Sequence, residues 1–408
     1  MSHPTAILEM PPRSAAAPNR ADVRSIAVWL LVCCAMIFAM VVIGGITRLT
    51  LSGQSITEWQ PVSGIVPPLS HAQWLAEFER YRQIPQYKLL NAGMSLAEFR
   101  TIFWWEYVHR LWGRLIGFVY LLPFLYFLVR RRLPRRLRLP LAGIFLLGVA
   151  QGALGWYMVK SGLADRVEVS QYRLVAHLAL ALLIYGLTLW TALGLFDGSS
   201  VKGHSPALRQ RERPTRGSEW EGEEFSQIPL TPTLSPTGGE GAARRWRRAA
   251  EGLIALVALT ICAGGFVAGL NAGLTYNTFP LMDGSYFPAG YAQLQPFVRN
   301  WFENIAAVQF DHRLLAETTV SAALLLWLAG RRALLPPPAR RALHALLAAA
   351  LVQFALGVST LLLVVPIPLA AAHQAGAVLL LTAAIVLRHT VRRREAGARL
   401  DRAAAAAI

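Results

Sequence analysis

The sequence predicts an all-α integral membrane protein, with eight transmembrane helices arranged as two tandem, pseudo-symmetric four-helix bundles. Three observations carry this expectation. Of the 408 residues, 54% are hydrophobic and only 15% charged, against about a quarter charged in an ordinary soluble domain. The mean hydropathy is +0.40, and the apolar residues gather in runs long enough to cross a hydrocarbon core about 30 Å thick. The second part of the chain also repeats the motifs of the first.

In chain order, residues 1–25 are polar and rich in Pro and Ala, without the charged-then-apolar layout and small-residue cleavage site of a secretory signal. They read as a cytoplasmic N-terminal segment. The first span covers 26–46, and a long loop, 47–105, follows it. The next spans are 106–129, interrupted by Pro123 as membrane helices tolerate, then 139–159 and 173–195. Together 26–196 form the N-terminal half. Residues 197–248 have few apolar residues and no periodicity, and they include the stretch PLTPTLSPTGGEGA. They read as a disordered cytoplasmic linker. Spans at 249–270, 310–330, 339–363 and 370–389 make up the C-terminal half, 249–389, and 390–408 is a basic tail.

The net charge of +17 does not indicate nucleic acid. The arginines sit in short clusters between apolar runs: Arg130–Arg132 with Arg135, Arg136 and Arg138; Arg244, Arg245, Arg247 and Arg248; Arg331 and Arg332; and Arg392–Arg394. That is a topology signal, not a groove-tracking face. It places both termini on the cytoplasmic side, with loops 47–105, 160–172 and 271–309 outside. Cys33, Cys34 and Cys262 all lie within apolar runs and read as packing residues, so the outer loops offer no disulfide.

The repeat is specific. Glu106-Tyr107-Val108-His109-Arg110 is matched by Gln309-Phe310-Asp311-His312-Arg313. Gln151-Gly152-Ala153-Leu154-Gly155 is matched by Gln353-Phe354-Ala355-Leu356-Gly357, and Gly44-Gly45 by Gly264-Gly265. Each half's last span carries a further histidine near its start, His177 and His373. An even number of spans per half points both copies the same way, related by an axis along the membrane normal.

Four histidines follow as candidate metal ligands: His109, His177, His312 and His373. Within each half they fall on the second and fourth spans, where a four-helix bundle can present two imidazoles across its interior. A zinc site needs three or four close ligands, whereas two imidazoles suit haem iron. Glu106 shares a helix face with His109, while the matching Gln309 cannot ionise. The carboxylate is the candidate catalytic group, able to move protons or stabilise developing positive charge, and pairing with Arg110 is its structural alternative. Arg110, Arg114 and Arg313 are candidate partners for haem propionates. Asp311 points to another face. His71, His204, His344 and His389 read as interfacial or solvent-exposed.

At these residues the sequence resembles the haem A synthase family. The resemblance rests on Gly44-Gly45-Ile46-Thr47-Arg48-Leu49-Thr50, Ser63-Gly64-Ile65-Val66-Pro67-Pro68 and the run Ile102 to Gly113-Arg114. In the second half it rests on Tyr276-Asn277-Thr278-Phe279-Pro280-Leu281-Met282, Gln309 to Arg313 and His373-Gln374. It covers nearly all of the chain except the first twenty or so residues, the linker and the tail. The long outer loop without a cysteine pair resembles the proteobacterial and mitochondrial branch. Asn271 departs from the acidic residue expected there.

The resemblance implies oxidation of a ring methyl of haem O, by successive hydroxylations, to the formyl group of haem A. It implies that the N-terminal half, with Glu106, His109 and His177, is catalytic and holds haem O as substrate and haem A as product. The C-terminal half, with His312 and His373, would hold a haem b that passes electrons. It further implies partnership with haem O synthase, with an electron-transfer protein and with terminal oxidase assembly. The expected setting is the lipid bilayer of the bacterial inner (cytoplasmic) membrane in preference to the mitochondrial one, with a homo-oligomer left open. The alternative reading is a di-haem, cytochrome b-type electron-transfer protein. A solute transporter would place its polar site at the midplane, away from where these ionisable residues cluster.

Overall fold

The structure, a computed structural model, describes residues 19–58, 63–165, 168–201 and 236–405. In order these form α1 (Arg20–Leu49), α2 (His71–Arg82), α3 (Pro85–Leu89), α4 (Leu96–Val129), α5 (Arg135–Asp165), α6 (Gln171–Val201), α7 (Pro236–Gly269), α8 (Asn300–Glu303), α9 (Ile305–Arg332), α10 (Pro337–Leu362) and α11 (Ile367–Ala405). Eight of them, α1, α4–α7 and α9–α11, are long and apolar enough to cross a membrane. This is an all-α membrane protein.

The helix starts follow from local chemistry. Asn19 caps α1 by accepting from Ala21 N at 3.2 Å. Ser95 and Glu98 form a reciprocal capping box at the head of α4, each satisfying a backbone N–H that the first turn leaves open. Asn304 caps α9 by accepting from the N–H groups of Ala306 and Ala307. A proline opens α10, where its missing N–H removes no helical bond.

Several boundaries differ from the sequence expectation. Helix α4 begins at Leu96, not 106, because the capping box lies upstream of the apolar run. Its first turns carry Phe99, Ile102 and Phe103, which bury against Trp74, Phe78 and Tyr81 of α2. Each such aromatic, withdrawn from water, contributes about 2–3 kcal/mol. The described residues of the loop 47–105 therefore form a folded cap. Residues 236–248 were expected in the linker and belong to α7; Ala243, expected to be solvated, is buried. The rest of the linker, 202–235, lies outside the described residues, and so does residues 1–18 of the N-terminal segment. Helix α11 continues through most of the expected tail, to Ala405.

In the N-terminal half α1 packs on α4 and α6, and α5 closes the ring between them. In the C-terminal half α7 packs on α9 and α11, with α10 closing that ring. The same connectivity occurs in both halves, which fits two tandem bundles. The halves meet where α6 touches α7 and α11, and where α1 touches α11. Ile26, Leu30 and Cys33 of α1, Leu189 of α6, Val257 of α7 and Leu387 of α11 belong to the resulting core. The Tyr185 and Thr382 hydroxyls hydrogen-bond across the junction at 2.7 Å. Away from it, Leu122, Leu139, Leu146 and Leu325 stay exposed, as lipid-facing side chains do. One end of the molecule carries α2, α3 and the 270–304 segment, and all four candidate histidines lie toward this loop-rich end.

Candidate haem-binding sites

In the C-terminal half the rings of His312 on α9 and His373 on α11 face each other, with centroids 6.5 Å apart and planes at 88°. Two metal–imidazole bonds of about 2 Å, plus about 1.1 Å from each nitrogen to its ring centre, span roughly 6.2 Å. The pair therefore fits two axial ligands on one haem iron. Nδ1 of His312 lies 3.1 Å from the carbonyl oxygen of Thr260. Only a protonated Nδ1 can bond there, which leaves the Nε2 lone pair open, as in ligating histidines. The amide of Gln353 lies 3.1 Å from Nδ1 of His373 and donates to its backbone carbonyl at 2.9 Å.

The N-terminal half repeats the frame. His109 on α4 and His177 on α6 are near enough to interact electrostatically, and Gln151 donates to the carbonyl of His177 at 3.0 Å. Nδ1 of both rings is buried with no hydrogen-bond partner among the described residues. Among the described residues no three His, Cys, Asp or Glu side chains gather as a metal-sized cluster. The histidines come as pairs, the donor set that haem iron takes.

Each histidine rests on a glycine of a neighbouring helix. A Cβ on Gly44 would lie 3.0 Å from Cε1 of His109, and one on Gly155 would lie 3.0 Å from Cε1 of His177. In the second half the distances are 2.9 Å from Gly264 to His312 and 2.8 Å from Gly357 to His373. These glycines were visible in the sequence as repeated motifs, but their role as imidazole seats was not. The contact joins helices far apart in the chain. The second glycine of each pair faces the opposite half, Gly45 against Gln374 and Gly265 against Val175 and Leu178. The glycine pair thus sets both the ligand and the junction. Gly113 packs near Met40.

Glu106 is 3% exposed and fully engaged. Its Oε1 accepts from Arg110 at 2.6 and 3.1 Å. Its Oε2 accepts from the Ser55 hydroxyl and the Ile56 N–H, both at 2.8 Å. Arg110 also donates to the carbonyls of Ile56 and Glu58. Gln309 and Arg313 grip the matching loop: Gln309 donates to the carbonyls of Ala272 and Thr275 at 2.9 and 2.7 Å, and Arg313 to those of Tyr276 and Thr278 at 2.6 and 2.9 Å. Arg110 and Arg313, expected on propionates, therefore bind loop backbone here. Guanidinium forks satisfy carbonyls that would otherwise be buried unpaired.

Other placements complete the picture. Asp311 accepts from the Tyr291 hydroxyl at 2.8 Å. Asn271 sits at the junction of the halves, away from the His312–His373 pair: it donates to Glu168 at 2.9 Å and accepts from Arg48 at 3.0 Å. Arg48 and Glu168 pair at 2.9 Å. His389, expected to be exposed, is buried edge-on against Trp190, because the junction of α6 and α11 extends to that end. His344 accepts from Trp327 at 2.9 Å, and His204 lies outside the described residues.

A sequence model of the COX15-CtaA family, described as cytochrome oxidase assembly protein, matches residues 27–220 and 228–385. The chain is 52% identical over 370 residues to a protein of Nitrosospira multiformis named Heme A synthase, covering 91% of this chain and 94% of that one. It is 49% identical to the Heme A synthase of Rhodospirillum centenum, covering 94% and 91%. It is 42% identical to the mouse protein named Heme A synthase COX15, covering 92% and 84%.

Proposed function

The chain belongs to the COX15-CtaA family of cytochrome oxidase assembly proteins, and on that premise we propose that it is a haem A synthase with its two halves divided between catalysis and electron transfer. It is a membrane oxidoreductase acting on haem O, and it serves cytochrome oxidase assembly. The family relationship does not support a di-haem electron carrier.

The finer assignment is this. His109 and His177 hold haem O, and later haem A, in the N-terminal half. His312 and His373 hold a haem b in the C-terminal half, where it supplies one-electron transfer when bound. The observation that carries the reading is the facing, perpendicular pair of His312 and His373, and the glycine seats of that pair recur under His109 and His177.

The substrate methyl is oxidised in two two-electron steps to an alcohol and then a geminal diol, each step taking one oxygen from water and releasing two protons and two electrons, and the diol loses water to leave the formyl group. Glu106 is the catalytic candidate because it is the carboxylate one turn from His109, and its counterpart Gln309 carries no charge. Bound to Arg110, it places a fixed negative charge near the reacting edge, where positive charge developing during oxidation is stabilised. Arg110 and Arg313 act by holding the loops over the two sites.

The histidine-bearing, loop-rich end faces the outside of the bacterial inner membrane and the basic ends face the cytoplasm. Haem O synthase supplies the substrate, and a separate electron-transfer partner takes up the electrons. The test is co-expression with a source of haem O followed by haem extraction. New haem A is expected; recovery of haem B alone would overturn the reading.

A further inference from the structure

The internal repeat breaks at a buried position on the loop that Glu106 grips. Gly53-Gln54-Ser55 stands where the second half has Gly273-Leu274-Thr275. Gln54 is 1% exposed, and neither its Nε2 nor its Oε1 has a hydrogen-bond partner among the described residues. A buried amide left unpaired is destabilising, and a leucine at that position would avoid that penalty. A side chain retained against that penalty has a partner that arrives with the ligand.

Its position indicates the partner. Ser55, next in the chain, donates to Glu106, which lies one turn from His109 on α4. The Gln54 amide itself lies against α5, where a Cβ on Gly162 would come to 2.6 Å from Nε2. Gly162 is seven residues beyond Gly155, the seat of His177. That is two turns along one helix face, or about 10 Å toward the loop-rich end. Gln54 is therefore placed beyond the gap between His109 and His177, at the reach of substituents on the edge of a porphyrin held between them.

We propose that Gln54 hydrogen-bonds an oxygen-bearing substituent on the edge of haem O in the N-terminal half. The proposal rests on the reading that this half binds haem O. Haem O carries two kinds of oxygen, the propionate carboxylates and the hydroxyl of its isoprenoid side chain. Either one pairs with an amide whose donor and acceptor are both open.

The full-length protein, with its C-terminal haem b in place, is titrated with haem O and followed by absorbance, alongside H109A, Q54L and Q54M. H109A is expected to lose haem O binding. Q54L and Q54M are expected to bind haem O about fivefold more weakly, the loss of one hydrogen bond of about 1 kcal/mol. Both should also raise the melting temperature of protein lacking haem O, because the unpaired amide is gone. Binding by both Gln54 variants at the wild-type affinity would overturn the proposal while leaving the half assignment intact. Wild-type binding by H109A would overturn the half assignment and the proposal with it. Titration with haem B, which keeps the propionates and lacks the hydroxyl-bearing side chain, identifies the oxygen: the Gln54 effect persists if the partner is a propionate and disappears if it is the hydroxyl.

Discussion

The imidazole of His373 lies against the bare backbone of Gly357, so close that a Cβ there would come within 2.8 Å of its Cε1. The seat has opposite consequences for helix and ligand. Alanine is favoured over glycine within a helix by about 1 kcal/mol, so Gly357→Ala should leave α10 intact or firmer. The same methyl displaces the imidazole from its place opposite His312. Purified G357A, and likewise G264A, should show unchanged helicity by circular dichroism and less than half the wild-type haem b. Full haem content in both would remove the seat from the account.

Glu106→Gln isolates charge from packing. Gln309 occupies the matching position and holds its loop through amide hydrogen bonds, so the fold accommodates glutamine there. E106Q should retain bound haem and lose methyl oxidation at least tenfold, measured as haem A formed per protein. Glu106→Ala also breaks a buried pair with Arg110 and should destabilise the protein by about 3 kcal/mol. Conversion by E106Q near the wild-type rate would reduce Glu106 to a structural role.

The spans and the histidine pairs were legible in the sequence because apolar length and repeated motifs are local signals. The true start of α4 was legible too, in Ser95 and Glu98, but it was hidden by reading the apolar run alone. The pairing of Glu106 with Arg110 was readable from their i, i+4 spacing. The loop carbonyls of Ile56 and Glu58 that Arg110 also holds were not, since they lie some fifty residues upstream. The same holds for the glycine seats and for buried His389, which depend on which helices become neighbours.

The junction between the halves carries its own test. Arg48 pairs with Glu168, and Asn271 bridges the two. Asn271→Asp replaces an amide donor to Glu168 with a second carboxylate, and should lower stability by about 1 kcal/mol, the scale of a partly exposed charge contact. Glu168→Gln in the same chain should restore the melting temperature. If N271D melts as the wild type does, the bridge contributes nothing to holding the halves together.

Alkaline stability should report the Tyr291–Asp311 contact. Burial, and then the hydrogen bond to Asp311, push the Tyr291 phenol up to about 12. The unfolded chain releases that proton near pH 10, about the ordinary tyrosine value. The native state thus holds more protons between these values, and the contribution is fully present below about pH 10 and lost as pH rises toward 12. Tyr291→Phe should flatten that part of the stability curve, measured by thermal unfolding across the range. An identical curve for Y291F would show that this phenol is not perturbed.

The central claim is that an imidazole pair clasps one haem iron in each half. The most direct measurement is the electron paramagnetic resonance spectrum of the oxidised protein purified without a source of haem O, so that haem b of the C-terminal half is the only haem present, recorded for the wild type and for H312A and H373A. A low-spin signal of two near-perpendicular axial imidazoles, present in the wild type and lost in both variants, is the expected result. The same signal surviving in H312A or H373A would contradict the account.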